Sequence, residues 1–200
     1  MPEKESILDF SSAITCIYGK PATGKTTICL TAAAAEKGKV VFIDTENGFY
    51  ADRLMQIAGK LPENITVVKA RDFMEQCRAV DELLNLKGKI KLVIVDSFTA
   101  HYRKELQEKH DINPLMSRQL SILSEIAREN IPVIVTSQVY TTQENKVQPV
   151  GSNMLKNWCG NVIKLENEGR RKLIVEKHRA GQLKEIEFEI VNEGIQTKTR

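Results

Sequence analysis

Short runs of apolar, mostly β-branched residues alternate along this chain with longer stretches in which apolar positions recur at helical spacing. The runs predict strands at residues 13–18, 39–44, 65–69, 91–96 and 132–137, and the longer stretches predict helices over about 25–37, 48–60, 72–86 and 113–130. Asp72 and Asn113 stand where N-caps of the last two belong. Strands that are apolar throughout belong to sheets covered on both faces, so this part reads as βαβ units around a mainly parallel sheet flanked by helices. From about residue 160 the pattern changes: 161–166, 171–178, 183–191 and 195–197 read as strands with no helix between them. Gly169, Gly181 and Gly194 supply the turns, which predicts a C-terminal antiparallel β extension of the same sheet.

Composition narrows the class. The chain has 200 residues, of which 42% are hydrophobic and 28% charged, which suits one folded α/β domain over 1–200 and excludes disordered, collagen-like and coiled-coil chains. Within it, 1–12 forms a short N-terminal segment and 160–200 a β meander. Lys and Arg number 29 against 26 Asp and Glu; a net charge of +3 is too mild to mark a nucleic-acid binder, so any polyanion must be held by local sites. Cys16, Cys29, Cys77 and Cys159 form no CxxC pair and have no histidine at metal-ligand spacing, which argues against zinc and against a disulfide framework. No apolar run reaches the length of a membrane span, so a reduced, cytoplasmic protein without membrane contact is expected.

The chemistry concentrates at Gly19, Lys20, Pro21, Ala22, Thr23, Gly24, Lys25 and Thr26, which spell GxxxxGK[ST] between a predicted strand and a predicted helix. That is the P-loop context. The glycines let backbone N–H groups curl around an anion, and the helix that follows adds the positive end of its dipole. Lys25 would reach the β- and γ-phosphates of ATP, the Thr26 hydroxyl would ligate Mg²⁺, and Thr27 is a lesser helper. Asp96 closes the run Leu92 to Val95, where a carboxylate reaches the same metal; its rival role is to cap the next element. Glu46, past the end of the strand at 39–44, could polarise the attacking water or merely cap the following helix. Gln138, past the strand at 132–137, could sense the γ-phosphate or be an ordinary strand-end amide.

At IYGKPATGKTT, FIDTENGFYADRL, LVIVDSFTAHYR, VIVTSQVY and PVGSNMLKNW the chain resembles the RecA and RadA recombinase superfamily, most closely its archaeal RadB branch. These motifs stand in the family's order over nearly the whole chain. The resemblance implies a RecA-like P-loop NTPase fold, Glu46 as the water-activating residue, Gln138 as the sensor coupling ATP to DNA, and two mobile DNA-facing loops, about 99–113 and 140–153. It implies DNA recombination and repair, with a recombinase or other repair protein as partner, and allows a homo-oligomer in which Lys177 and Arg179 touch ATP held by a neighbour. DNA contact would rest on Arg103, Lys104, Lys109, Lys146 and Lys156, diluted by Glu105, Glu108, Asp111 and Glu144. Among the aromatics, Tyr102, Tyr140 and Trp158 could stack on bases, although a tryptophan is more often buried.

The chain also departs from the family. It begins about a dozen residues before the first strand, so the N-terminal helical domain of RadA is expected to be absent, and the glycine-rich entry segment is missing. Phe10 to Ala13 read FxxA, the pattern by which recombinases add a strand to their neighbour, but Ala13 already enters the first core strand and the match reads as coincidence. No arginine finger is evident in cis, so the expected activity is a weak, Mg²⁺-dependent, DNA-associated ATPase. Its rivals are a KaiC-like or other regulatory ATPase acting as a protein interaction module, and a small-molecule phosphotransferase, whose arginine-rich lid this chain lacks.

Overall fold

The five apolar runs form β1 (Ile14–Gly19), β2 (Lys39–Asp44), β3 (Ile65–Lys69), β4 (Ile90–Asp96) and β5 (Val133–Ser137) in a computed structural model that describes residues 12–108, 112–181 and 184–198. The expected helices are α1 (Lys25–Ala35), α2 (Ala51–Ala58), α3 (Phe73–Glu82) and α5 (Asn113–Arg128), with α3 running on into a 3-10 turn at Leu83–Leu86. The meander is β8 (Asn161–Asn167), β9 (Arg171–Lys177), β10 (Glu185–Val191) and β11 (Gly194–Thr197). Of the strand expected over 183–191, Leu183 lies outside the described residues. Together these strands make one nine-stranded sheet in the order β11-β10-β9-β8-β1-β5-β4-β2-β3, parallel from β8 to β3 and antiparallel from β8 to β11. The α/β architecture with an antiparallel extension is therefore as the sequence predicts.

Alternation along the central strands divides the core between the two faces. Val41, Ile43, Val93, Val95, Val133 and Val135 pack toward Leu120, Leu123 and Ile126 of α5, whereas Val40, Phe42, Leu92, Ile94 and Ile134 pack toward Ile28 and Leu30 of α1. Burying each such side chain stabilises by about 1.5–3 kcal/mol, which is why the middle of these strands is apolar and their lysines, Lys39 and Lys91, stand exposed near the amino ends. At the start of α3, Asp72 caps as expected: its side chain accepts from the Glu75 N–H at 2.7 Å, and Glu75 reaches back to the Arg71 N–H at 2.8 Å.

Three expectations need correction. The segment 99–113 contains helix α4 (Ala100–Glu108), not a loop. Its sequence AHYRKELQE buries only Tyr102, so it has no apolar stripe to announce it. It is docked through polar contacts, with His101 Nε2 2.8 Å from the Ala70 carbonyl and the Tyr102 hydroxyl donating to Asn113 Oδ1 at 2.6 Å. Asn113 is consequently the first residue of α5 with its side chain engaged elsewhere, and Ile112 occupies the cap position. Finally, 140–153 falls within a hairpin of β6 (Val139–Thr141) and β7 (Val147–Pro149) followed by helix α6 (Ser152–Trp158). The hairpin closes through Thr142, whose N–H donates to the Lys146 carbonyl at 2.9 Å and whose hydroxyl accepts from the Lys146 N–H at 3.1 Å. Phe10, Ser11, Lys109, His110 and Asp111 lie outside the described residues; Ala13 precedes β1 and packs on Gly160 of its own chain. No helix among the described residues is long and apolar enough to cross a membrane.

Candidate functional site

Four neighbouring parallel strands inside the sheet, β1, β5, β4 and β2, deliver the candidate residues to their shared carboxyl ends. The loop after β1 is closed to any side chain at its first glycine: a Cβ on Gly19 would lie 2.5 Å from the Leu165 carbonyl and 2.8 Å from Thr23 Oγ1. At the other end of the loop Gly24 adopts φ +109°, and Ala22 between them is left-handed at +61°. Thr23 is buried and donates to the Lys20 carbonyl at 2.9 Å, fixing the curl. Helix α1 then opens on Gly24 with no side-chain cap and no acidic residue in its first turn, so its orphan N–H groups remain for an anion. Pro21 is exposed on the loop, and Thr27 sits half-buried in the first helical turn.

The Lys25 ammonium lies against the loop itself, donating to the Gly19 and Lys20 carbonyls at 2.9 and 3.1 Å. Burial lowers its pKa from the ordinary lysine value, opposed by the Asp96 and Glu46 carboxylates. Beside it Thr26 Oγ1 donates to Asp96 Oδ2 at 2.6 Å. Asp96 is 5% exposed, and its other oxygen accepts from the Thr136 hydroxyl. Burial raises its pKa, and the bonds from Thr136 and Thr26 offset part of that.

Glu46 and Gln138 meet, with Gln138 Nε2 donating to Glu46 Oε1 at 2.6 Å. The Gln138 backbone is also engaged at both ends. Its N–H donates to Thr99 Oγ1 at 3.0 Å, immediately before α4, and its carbonyl accepts from the Val150 N–H at 2.9 Å, immediately after β7. Thr99 and Ser137 hydroxyls pair at 3.0 Å beneath it. The structure thus brings together Lys25, Thr26, Asp96, Glu46 and Gln138. Hard hydroxyl and carboxylate oxygens beside an uncapped helix N-terminus and a half-buried ammonium suit a Mg²⁺–triphosphate.

The basic candidates are more scattered. Arg103 and Lys104 are exposed on α4, and Lys156 on α6; a groove of about 590 Å³ runs between these helices and the hairpin, lined by Arg103, Gln107, Tyr140, Ser152 and Asn153 among others. Lys146 is paired with Glu144 at 2.7 Å. Of the aromatics, Tyr102 is buried and Tyr140 and Trp158 are exposed, which reverses the expectation for Tyr102 and Trp158. Lys177 and Arg179 are engaged within the chain. The Lys177 ammonium donates to the Lys156 and Cys159 carbonyls at 2.7 Å each, and Arg179 Nη1 donates to the Ser12 carbonyl at 2.6 Å.

Sequence reasoning overlooked Asp44, Thr45, Thr99 and Thr136, the hydroxyl and carboxylate groups that hold the motif residues in place. A signal existed for Asp44: an aspartate at a strand end followed by a turn with glycine favours side-chain bonding to the turn's own N–H groups.

A profile of the Rad51 family matches residues 9–196. The DNA repair and recombination protein RadB of Methanococcus maripaludis (strain C7 / ATCC BAA-1331) is 37% identical over 197 residues, covering 92% of this chain and 91% of the relative. RadB of Methanocaldococcus jannaschii is 35% identical over 196 residues, covering 92% of each. Among solved structures, one described as the crystal structure of the RadB recombinase superposes with a TM-score of 0.78 at 35% identity, covering 92% of this chain and 90% of that one. The chain belongs to the Rad51 family, a typically ATP-binding family, and is similar over nearly its whole length to archaeal RadB proteins.

Proposed function

We propose that the protein acts in DNA repair and recombination as a single RecA-like ATPase unit, binding ATP with Mg²⁺, hydrolysing it slowly, and passing the phosphate state to DNA-facing segments. The observation that carries this reading is the threefold engagement of Gln138: its amide meets Glu46, its N–H meets Thr99 before α4, and its carbonyl meets Val150 after the hairpin. The loop at 19–26 and the first turn of α1 would hold the phosphates, with Lys25 leaving the Gly19 and Lys20 carbonyls for better acceptors. Thr26 and Asp96 would hold Mg²⁺, which supplies charge neutralisation to the phosphates. Glu46 would accept a hydrogen bond from the attacking water and orient it. When the phosphate draws Gln138 away from Glu46, the pull reaches α4 and the hairpin through the backbone bonds just named, and so alters the surface that carries Arg103, Lys104 and Tyr140.

Affinity for single-stranded DNA, measured with and without ATP and Mg²⁺ at two salt concentrations, tests the proposal. The expected result is nucleotide-strengthened binding that weakens with salt and shows little sequence preference, since the candidates are few and are phosphate-binding side chains. A nucleotide-independent, salt-insensitive response would instead favour an interaction module whose partner is a recombinase or another repair protein.

A further inference from the structure

The turn that bears Glu46 is built on a carboxylate that the phosphate-site motifs leave without a role. Asp44 ends β2 and is 2% exposed. Its Oδ1 accepts from the Glu46 N–H at 3.3 Å and the Gly48 N–H at 2.9 Å, and its Oδ2 accepts from the Phe49 N–H at 3.2 Å. An ionised carboxylate accepts and never donates, so both oxygens suit the three inward-turned N–H groups. The adjacent residue fastens the same turn to β4. Thr45 N–H donates to the Asp96 carbonyl at 3.0 Å, and the Thr45 hydroxyl donates to the Ser97 carbonyl at 2.7 Å while accepting from the Ser97 N–H at 2.9 Å.

This double attachment sets where the turn lies. Asn47 is held at φ +54°, a left-handed conformation that asparagine tolerates when neighbouring bonds support it. Gly48 lies beside Thr26 and Asp96: an added Cβ would stand 3.7 Å from Thr26 Oγ1 and 4.0 Å from Asp96 Oδ2, in ordinary contact with both. Glu46, two residues earlier, is thereby registered against the same two side chains from which it must act.

We propose that Asp44 is the positioning residue for Glu46: without touching nucleotide, it sets the placement of the Glu46 carboxylate relative to Thr26 and Asp96 and hence the rate of hydrolysis. The inference rests on the reading of Glu46 as the residue that orients water. Misplacing a catalytic group by a fraction of an ångström lowers rate while leaving binding contacts intact, so the signature is a fall in turnover without a matching fall in affinity.

Single-turnover ATP hydrolysis and ATP affinity of Asp44→Asn, Glu46→Gln and the double variant test it. Asparagine keeps one acceptor oxygen and turns an amide donor against the Phe49 N–H, loosening the turn. Asp44→Asn is expected to slow hydrolysis about tenfold with ATP affinity within about twofold of the parent. Glu46→Gln is expected to slow it about a hundredfold, and the double variant to be no slower than Glu46→Gln alone, because a residue acting through Glu46 has nothing left to position. Thr45→Val, which removes the second attachment with nearly unchanged volume, should show the same dependence on Glu46 even if Asp44→Asn fails to fold. Losses that add in the double variant, a parent-like rate in Asp44→Asn or, should that variant not fold, in Thr45→Val, or a parallel loss of ATP affinity would overturn the assignment. Parent-like hydrolysis by Glu46→Gln itself would overturn the reading of Glu46, a result distinct from additivity on a large Glu46 effect.

Discussion

Gln138 Nε2 donates to Glu46 Oε1 at 2.6 Å, joining the end of β5 to the turn after β2 across 92 residues of sequence. The bond pairs the group proposed to orient water with the group proposed to sense phosphate, so the two states of the site compete for one amide. Gln138→Ala is therefore expected to retain ATP affinity and to lose the difference in DNA affinity between ATP-bound and nucleotide-free protein. Fluorescence anisotropy with labelled single-stranded DNA reads both quantities; a preserved difference would remove Gln138 from the coupling route.

Asp96 carries a cost in the nucleotide-free fold. Burial raises its pKa, so the folded chain holds this proton more tightly than the unfolded chain does. Its contribution to stability is complete below the unfolded value near 3.8 and is lost as pH rises through the folded value. Asp96→Asn should therefore raise the melting temperature of the free protein at neutral pH, by about 2–4 °C for each kcal/mol gained, with the advantage shrinking as pH falls through the carboxylate range. The Mg²⁺-dependent rise in melting temperature on adding ATP should vanish in the same variant. Thermal melts from pH 4 to pH 8 check the sign, and a variant that is less stable at every pH would refute it.

Lys25 has the opposite charge and a related cost. Burial lowers its pKa, so its contribution is complete above the unfolded value of 10.5 and is lost as pH falls through the folded value. Lys25→Met should consequently fold at least as stably as the parent near neutral pH while losing ATP binding, as measured by calorimetry. Parent-like ATP binding and hydrolysis would contradict the phosphate role of this side chain.

Gly19 and Gly169 separate steric from conformational demands. A Cβ at Gly19 meets the Leu165 carbonyl and Thr23 Oγ1, whereas at Gly169, at φ +80°, it meets nothing within 4 Å. Gly19→Ala should cost about 2 kcal/mol and abolish nucleotide binding, since the loop must move off the backbone of β8. Gly169→Ala should cost about 1 kcal/mol through the left-handed backbone alone and leave nucleotide binding unchanged. Denaturant melts and ATP titrations of the two variants make the comparison.

Lys177 is tied to carbonyls at the end of α6, where a cation offsets the helix dipole. Lys177→Met should destabilise the nucleotide-free chain by about 1 kcal/mol at any protein concentration. A role for Lys177 on a neighbour's ATP would show differently, as a loss of hydrolysis that grows with protein concentration while stability stays constant.

The elements that could be read in advance are those whose information is local. The phosphate loop occupies consecutive residues 19–26, and β2, β4 and β5 are announced by apolar runs that only a two-faced sheet can bury. Helix α4 gave no such signal because Tyr102 is its one buried side chain and His101 and Tyr102 dock it through polar contacts, and β6 and β7 are three residues each, paired among the described residues with one another. Asp96 and Gln138 were visible as polar groups closing apolar strands, but nothing in that pattern says which oxygen faces which hydroxyl.

Sequence alone determined the strands of the main sheet, the glycine-bounded loop at 19–26 and the side chains proposed for phosphate chemistry, because each depends on neighbours a few positions away. Only the tertiary structure decided their assembly. The strand order β1-β5-β4-β2 places Thr26 beside Asp96 across 70 residues and Glu46 beside Gln138, and it buries Asp44 as the anchor of the Glu46 turn. Such pairings arise from which strands lie side by side with their carboxyl ends together, a property of the packed core that no local run of residues contains.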